Sequence, residues 1–187
     1  RYAIDNKLIA YHDFNKERVT PRVLAKLEAG ENMALVTDAG TPGISDPGFY
    51  LVRAAIEHGI RVTVIPGADA VVPALVVSGL PTDAFVFEGF IPRKAAAMRR
   101  KLESLAEERR TVIFFVPPHG LVKVLREACD VIPGRRVAVV RELTKIHEEI
   151  RRGTPEELLA AFEGRSIRGE IVLLIEGAKK AKRTNRG

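Results

Sequence analysis

The chain has 187 residues, 46% of them hydrophobic and 29% charged, with a formal net charge of +6. That length buries a real core in one large or two small domains, and that composition excludes wholesale disorder. No apolar run approaches the ~18 residues that cross a bilayer. The single cysteine, Cys129, excludes an internal disulfide framework and a multi-cysteine zinc site and fits a cytoplasmic setting. The chain opens on Arg1, without a leader-like segment, and reads as a trimmed chain.

The charge is uneven. Residues 178–187 hold five bases and no acid, which leaves +1 for everything before them. A second excess lies between Arg93 and Arg110, with seven bases against three acids. A polyanionic partner and a merely solvated tail both fit such a pattern.

In chain order, short β-branched runs alternate with amphipathic stretches. Lys7 to Tyr11 reads as a strand, and Thr20 with Pro21 opens a helix that Gly30 stops. Met33 to Thr37 is a second strand, followed by the loop Asp38 to Asp46 and a helix capped by Asp46 and beginning at Pro47. Arg61 to Ile65 is a third strand, and Ala70 to Ser78 a helix ended by Gly79. This alternation implies parallel pairing with right-handed crossovers. Gly79-Leu80-Pro81-Thr82-Asp83 breaks the pattern and marks a domain boundary, giving domains 1–82 and 83–177 and a basic tail, 178–187. Beyond the break come strand Ala84 to Glu88, helix Arg93 to Glu108, strand Thr111 to Val116 and helix Leu121 to Ala128. Strand Arg136 to Arg141, a helix opened by the capping box Thr154-Pro155-Glu156-Glu157, and strand Glu170 to Glu176 complete the series.

The stretch Thr37 to Gly48 is the most informative one. It lies between a strand end and a helix start, where open α/β sheets place ligands. Its glycines let a ligand approach the backbone closely. Read alone, it is a tight structural turn as readily as a site. It carries neither a P-loop lysine nor a dinucleotide fingerprint.

That loop also resembles the signature of the ribosomal RNA small subunit methyltransferase I family, which has the tetrapyrrole-methylase fold. The resemblance continues through Ile65-Pro66-Gly67, Ser78 to Asp83, Phe85 to Lys94, Arg141 to Glu149, Arg152 to Thr154, Arg168 to Val172 and Glu176-Gly177. It implies a two-domain α/β fold with the cofactor cleft between the domains, its first strand missing from this chain. It implies S-adenosyl-L-methionine as cofactor, methyl transfer to the ribose 2′-hydroxyl of a cytidine in 16S ribosomal RNA, and a homodimer. Asp38, Ala39, Gly40, Thr41 and Pro42, with Pro66 and Gly67, would line the cofactor. Two departures stand out: Asp69 where the family has serine, and Val116-Pro117-Pro118-His119-Gly120 where it has Glu-Ser-Pro-His-Arg.

No motif marks the catalytic group. A ribose hydroxyl is a poor acid, so the reaction needs a base or a positive charge beside the developing alkoxide. Lys145 is the first candidate, because a partly desolvated lysine loses its proton near neutral pH. Glu142 would orient it, and Glu88, at a strand end, is a weaker candidate. The bland alternative for Arg141, Glu142 and Lys145 is a surface charge cluster. His119 reads as a helix-start residue, His12, His58 and His147 have no metal-site spacing, and Cys129 reads as core.

For RNA, the cations to expect are Arg93, Lys94, Arg99, Arg100 and Lys101, on or beside one helix. Two other readings compete: a porphyrinoid methylase of the same fold, and a non-catalytic RNA-binding remnant.

Overall fold

The computed structural model describes residues 5–179, so most of the basic tail lies outside the described residues. The chain divides into two compact units, Arg1–Asp69 and Ala70–Gly187. The division falls ahead of the expected boundary at residue 82, and the reason is packing. Helix α3 (Val71–Ser78) buries Val71, Ala74 and Leu75 against Ile113, Ala138, Val140, Val172 and Leu174 of the second unit's sheet. Arg152 fastens it there, its Nε donating to the Ser78 carbonyl at 3.0 Å. Gly79, at φ 72, ends the helix as its sequence position suggests.

The first unit contains helices α1 (Lys16–Glu28) and α2 (Gly48–Glu57). Val19, Thr20, Val23 and Leu24 of α1 and Ala55 of α2 are buried. Glu28 meets His58 Nδ1 at 2.6 Å, and Lys16 lies 5.7 Å from the centre of the Tyr50 ring. Helix α1 starts a turn earlier than expected, so Pro21 sits inside it rather than at its first position. Asn15, just before it, ties the preceding turn instead of capping: its side chain accepts from His12 N and donates to the Ala10 carbonyl.

The expected strands 7–11, 33–37 and 61–65 are corrected. Among the described residues of this unit no segment pairs as a strand. Leu8, Val36, Val64 and Ile65 are largely exposed. β-branched side chains favour a strand through burial and cross-strand packing, and these segments have neither.

The second unit is a sheet covered on both faces. Its strands are β1 (Phe85–Phe90), β2 (Thr111–Val116), β3 (Val137–Arg141), β4 (Glu149–Gly153) and β5 (Ile171–Ile175), in the spatial order β1-β2-β5-β3-β4. Only β1 and β2 pair in parallel; the other three pairings are antiparallel, so the sheet is mixed. Alternation sorts the side chains. Val112, Phe114, Val137, Val139, Ile171, Leu173 and Ile175 face helices α4 (Ala95–Ser104), α5 (Leu121–Val131) and α6 (Pro155–Phe162), while Ile113, Ala138, Val140, Val172 and Leu174 face α3. Central strands buried on both faces read as continuous apolar runs, which is why β2, β3 and β5 were recognisable from sequence.

Strand β4 was not expected. Its sequence, Glu-Ile-Arg-Arg-Gly, is that of an edge strand whose charges discourage further pairing. The capping box is present: Thr154 Oγ1 accepts from Glu157 N, and Glu157 Oε2 accepts from Thr154 N. Helix α4 is shorter than the expected span 93–108, and the turns after it are held by Arg135. That guanidinium donates to the carbonyls of Leu105, Glu108 and Glu176. No helix among the described residues is long and apolar enough to cross a membrane.

Candidate functional site

Two loops, one in each unit, carry seven of the ten residues expected at the cofactor and the reacting group. In the first unit the loop 38–47 is held from within. Asp46 Oδ1 accepts from Gly43 N and Gly48 N, both at 2.7 Å. A Cβ on Gly48 would come within 2.8 Å of Asp46 Oδ1 and Leu35 Cδ2, so glycine is required there. Left-handed turns at Gly40, Gly43 and Ser45 (φ 70, 87 and 58) fold the loop.

Thr41 Oγ1 donates to the Ala68 carbonyl at 3.1 Å, which ties the loop to the turn that follows Pro66-Gly67. The two segments expected at a cofactor are therefore brought together. Asp38, Ala39, Gly40, Pro66 and Gly67 are exposed, while Thr41 and Pro42 are half-buried. A Cβ at Gly40 would meet nothing within 4 Å, and one at Gly67 would meet only the Ile65 carbonyl, at 4.0 Å. The result is an exposed loop with open space at its glycines and Asp38 at its start.

In the second unit, the loop 142–148 between β3 and β4 contains two non-glycine residues in the left-handed region, Glu142 (φ 49) and Thr144 (φ 64). Such a backbone persists only where its surroundings over-determine it. Here Glu142 N donates to the Glu170 carbonyl at 2.9 Å, and Glu142 Oε1 accepts from Glu170 N at 2.8 Å. A Cβ on Gly169 would overlap the Glu142 side chain, so that glycine makes the seat for the carboxylate.

Lys145 Nζ reaches Glu142 Oε1 at 3.1 Å and Glu170 Oε2 at 3.0 Å. The hydrogen bonds to Glu170 and Glu142 push its pKa up, and its side chain is 46% exposed. Glu142 is held below the usual carboxylate range, first by the Glu170 amide and then by Lys145. This environment corrects the expectation that Lys145 loses its proton near neutrality. Two carboxylates keep it an ammonium, so the chemistry its surroundings favour is charge stabilisation.

Glu88 does not join this loop. It lies on β1, at the opposite edge of the sheet from β4, and accepts from Lys101 Nζ at 2.6 Å. The cations expected on α4 divide into two sets. Arg99 is shared by Glu103, Glu127 and Asp130, and Lys101 is engaged by Glu88. Exposed Arg93, Lys94 and Arg100 have no side-chain ion pair among the described residues. His119 is exposed in a 3₁₀ turn, Pro118–Gly120, just after β2. Cys129 is half-buried, and burial pushes its thiol pKa up.

Two groups escaped the sequence. Glu170 partners Lys145, yet its only signals were the start of the last expected strand and a place in the stretch Arg168 to Val172. Glu149 accepts from Arg141, Arg151 and Arg165 at 2.7–3.0 Å, with Arg165 the largest influence lowering its pKa from 4.5 to about 2. Four charges spread over 25 positions carry no pattern that spacing can reveal.

The chain matches the tetrapyrrole (corrin/porphyrin) methylases over residues 5–159. It is 48% identical over 178 residues to ribosomal RNA small subunit methyltransferase I of Synechocystis, covering 95% of this chain and 64% of that protein. The relative of the same name from Halalkalibacterium halodurans is 45% identical, with 94% of this chain and 61% of that protein covered. The chain thus spans somewhat less than two thirds of these relatives' length.

Among solved structures it resembles uroporphyrin-III-C-methyltransferase from Thermus thermophilus, at TM-score 0.61 and 22% identity, covering 92% of this chain and 74% of that one. It also resembles diphthine synthase, at TM-score 0.64 and 11% identity, with 91% and 70% covered. These structural likenesses show the fold. The family match places the chain in the tetrapyrrole methylase family, and its sequence is similar to the ribosomal RNA small subunit methyltransferase I proteins.

Proposed function

We propose that this chain forms the greater part of an S-adenosyl-L-methionine-dependent methyltransferase acting on the ribose 2′-hydroxyl of a cytidine in 16S ribosomal RNA. The observation that carries the reading is the 45–48% identity to ribosomal RNA small subunit methyltransferase I proteins over 94–95% of the chain. A cytoplasmic homodimer, and the cleft between domains that the resemblance implies, belong to the same proposal.

The donor set of the first loop fits the cofactor. A zwitterionic sulfonium ligand is matched by exposed backbone amides, a nearby carboxylate in Asp38, and glycines whose Cβ space is open. Asp38 to Pro42 and Pro66-Gly67 would hold it. When bound, the cofactor supplies an electrophilic methyl group on sulfur. Lys145 would stand as a fixed positive charge beside the ribose oxygen while the hydroxyl proton passes to solvent water at this exposed loop, with Glu142 and Glu170 setting the direction of the ammonium.

Titration calorimetry with S-adenosyl-L-methionine tests the first half of the reading. Transfer of labelled methyl to small ribosomal subunits that lack the modification, followed by mapping of 2′-O-methylcytidine, tests the second. No cofactor binding alongside RNA binding would leave the non-catalytic remnant. Methylation of a porphyrinoid but not of RNA would leave the other alternative.

A further inference from the structure

The end of β1 carries a feature that the methyl-transfer reading does not use. Phe87 pairs with Ile113 and Phe90 with Phe115, so β1 has one residue more than β2 between the two pairs. The extra residue is accommodated at Glu88-Gly89, where Gly89 adopts φ 69. Residues three apart on a regular strand face opposite sides, and a bulge reverses that. Phe87 and Phe90 accordingly both meet the same ring: their centroids lie 4.9 and 5.4 Å from that of Phe115, at 66° and 61°. Phe87 and Phe115 pack against the core on the α3 side, whereas Phe90 is 61% exposed.

The result is a phenyl ring held at a fixed tilt by an edge-to-face contact, with much of its surface open. Basic groups lie close by in sequence. Arg93 and Lys94 follow three and four residues later, exposed and without an ion pair among the described residues, and Lys123 Nζ lies 3.4 Å from the Arg93 carbonyl. Glu88, the nearest acid in sequence, is engaged by Lys101. An exposed aromatic ring followed within four residues by unpaired cations suits single-stranded nucleic acid: the ring stacks a base and the cations meet the adjoining phosphates.

We infer that Phe90 is a stacking residue for an unpaired RNA base, with Arg93, Lys94 and Lys123 meeting the flanking backbone. This rests on the RNA reading above and adds a contact to it. It also shifts the RNA surface away from Arg99 and Lys101, already satisfied by carboxylates, towards the end of β1.

The test compares binding of the whole chain to a twelve-residue oligocytidylate and to an abasic oligoribonucleotide of the same length. Phe90→Ala should weaken oligocytidylate binding by about 5- to 100-fold and leave the abasic strand unaffected. Arg93→Glu with Lys94→Glu should weaken both. Phe90→Trp should restore affinity, and, because the chain has no other tryptophan, the indole fluorescence of that variant should be quenched by oligocytidylate but not by the abasic strand.

Equal losses on both strands, or indole fluorescence that stays unquenched while the Phe90→Trp chain binds oligocytidylate, would overturn the inference. So would a Phe90→Ala chain that changes oligomeric state while keeping its RNA affinity. If only Phe90 fails while methyl transfer to the small subunit persists, the functional reading stands without this contact. If the unsubstituted chain binds neither strand and methylates no RNA, both fall together.

Discussion

Lys145 illustrates how surroundings decide what a side chain can do. A lysine becomes a base when burial strips its charge of solvation, but here two carboxylates and partial exposure do the opposite. Lys145→Ala is therefore expected to lower methyl-transfer turnover by about 100-fold, the scale of one lost electrostatic contact to a developing anion, with cofactor affinity unchanged. Lys145→Arg should recover a substantial part of the rate, because guanidinium supplies the charge. Single-turnover kinetics on small subunits would check this, and a silent Lys145→Arg would return the base role to consideration.

Gly40 is the second informative position. It has φ 70 and open space at its Cβ, and Gly59, at φ 71, has the same two properties outside the loop. Gly40→Ala and Gly59→Ala should each cost about 1 kcal/mol of stability from left-handed backbone alone. Only Gly40→Ala should also weaken S-adenosyl-L-methionine in calorimetry. Equal affinities in the two variants would remove the loop from the cofactor site.

The hairpin of β3 and β4 is held at its loop end, where Arg141 pairs with Glu149, by electrostatics as well as by its ladder. Arg165, Arg151 and Arg141 surround Glu149, which is 17% exposed, and Arg165 also lies over the Phe162 ring at 4.9 Å. Because the folded state depresses the Glu149 pKa from 4.5 to about 2, the unfolded chain binds more protons in that interval. Its stabilisation is present in full above pH ~4.5 and disappears as pH falls towards about 2. Glu149→Gln should lose roughly 1–3 kcal/mol at neutral pH, since three guanidiniums lose their common anion. Urea titrations should show wild type and variant converging as pH drops from 5 to about 2. Parallel curves across that range would mean the cluster contributes little.

Across the whole chain, order is unequally distributed. The two faces of the second unit's sheet are covered, with Ile113, Phe114, Ala138, Val139 and Leu174 fully buried. The extended segments of the first unit carry exposed Leu8, Val36, Val64 and Ile65 and no ladder among the described residues. Hydrogen exchange should thus be slowest in β2, β3 and β5 and fast across 32–37 and 61–68. Protection in 33–37 equal to that of β3 would show that those segments are paired after all.

Local signals carried the parts of this protein that local chemistry governs. The helix starts at Asp46-Pro47 and Thr154-Pro155, the stop at Gly79 and the apolar runs of β2, β3 and β5 were legible because caps, glycine conformations and burial on two faces are written in adjacent residues. The order of motifs from Asp38 to Gly177 was enough to place the family. Pairing is different, because a strand is completed by partners distant in sequence. That is why β-branched 33–37 and 61–65 read as strands yet have no ladder, while charged 149–153 forms β4. It is also why the boundary moved: α3 looks like the close of the first alternation, and only its burial against β3 and β5 assigns it to the second unit. The same holds at the site. The residue types at 142 and 145 are visible in the chain, but the protonation of Lys145 depends on Glu170, brought alongside by the β3–β5 ladder, and on the seat at Gly169, and neither can be read from positions 25 residues apart.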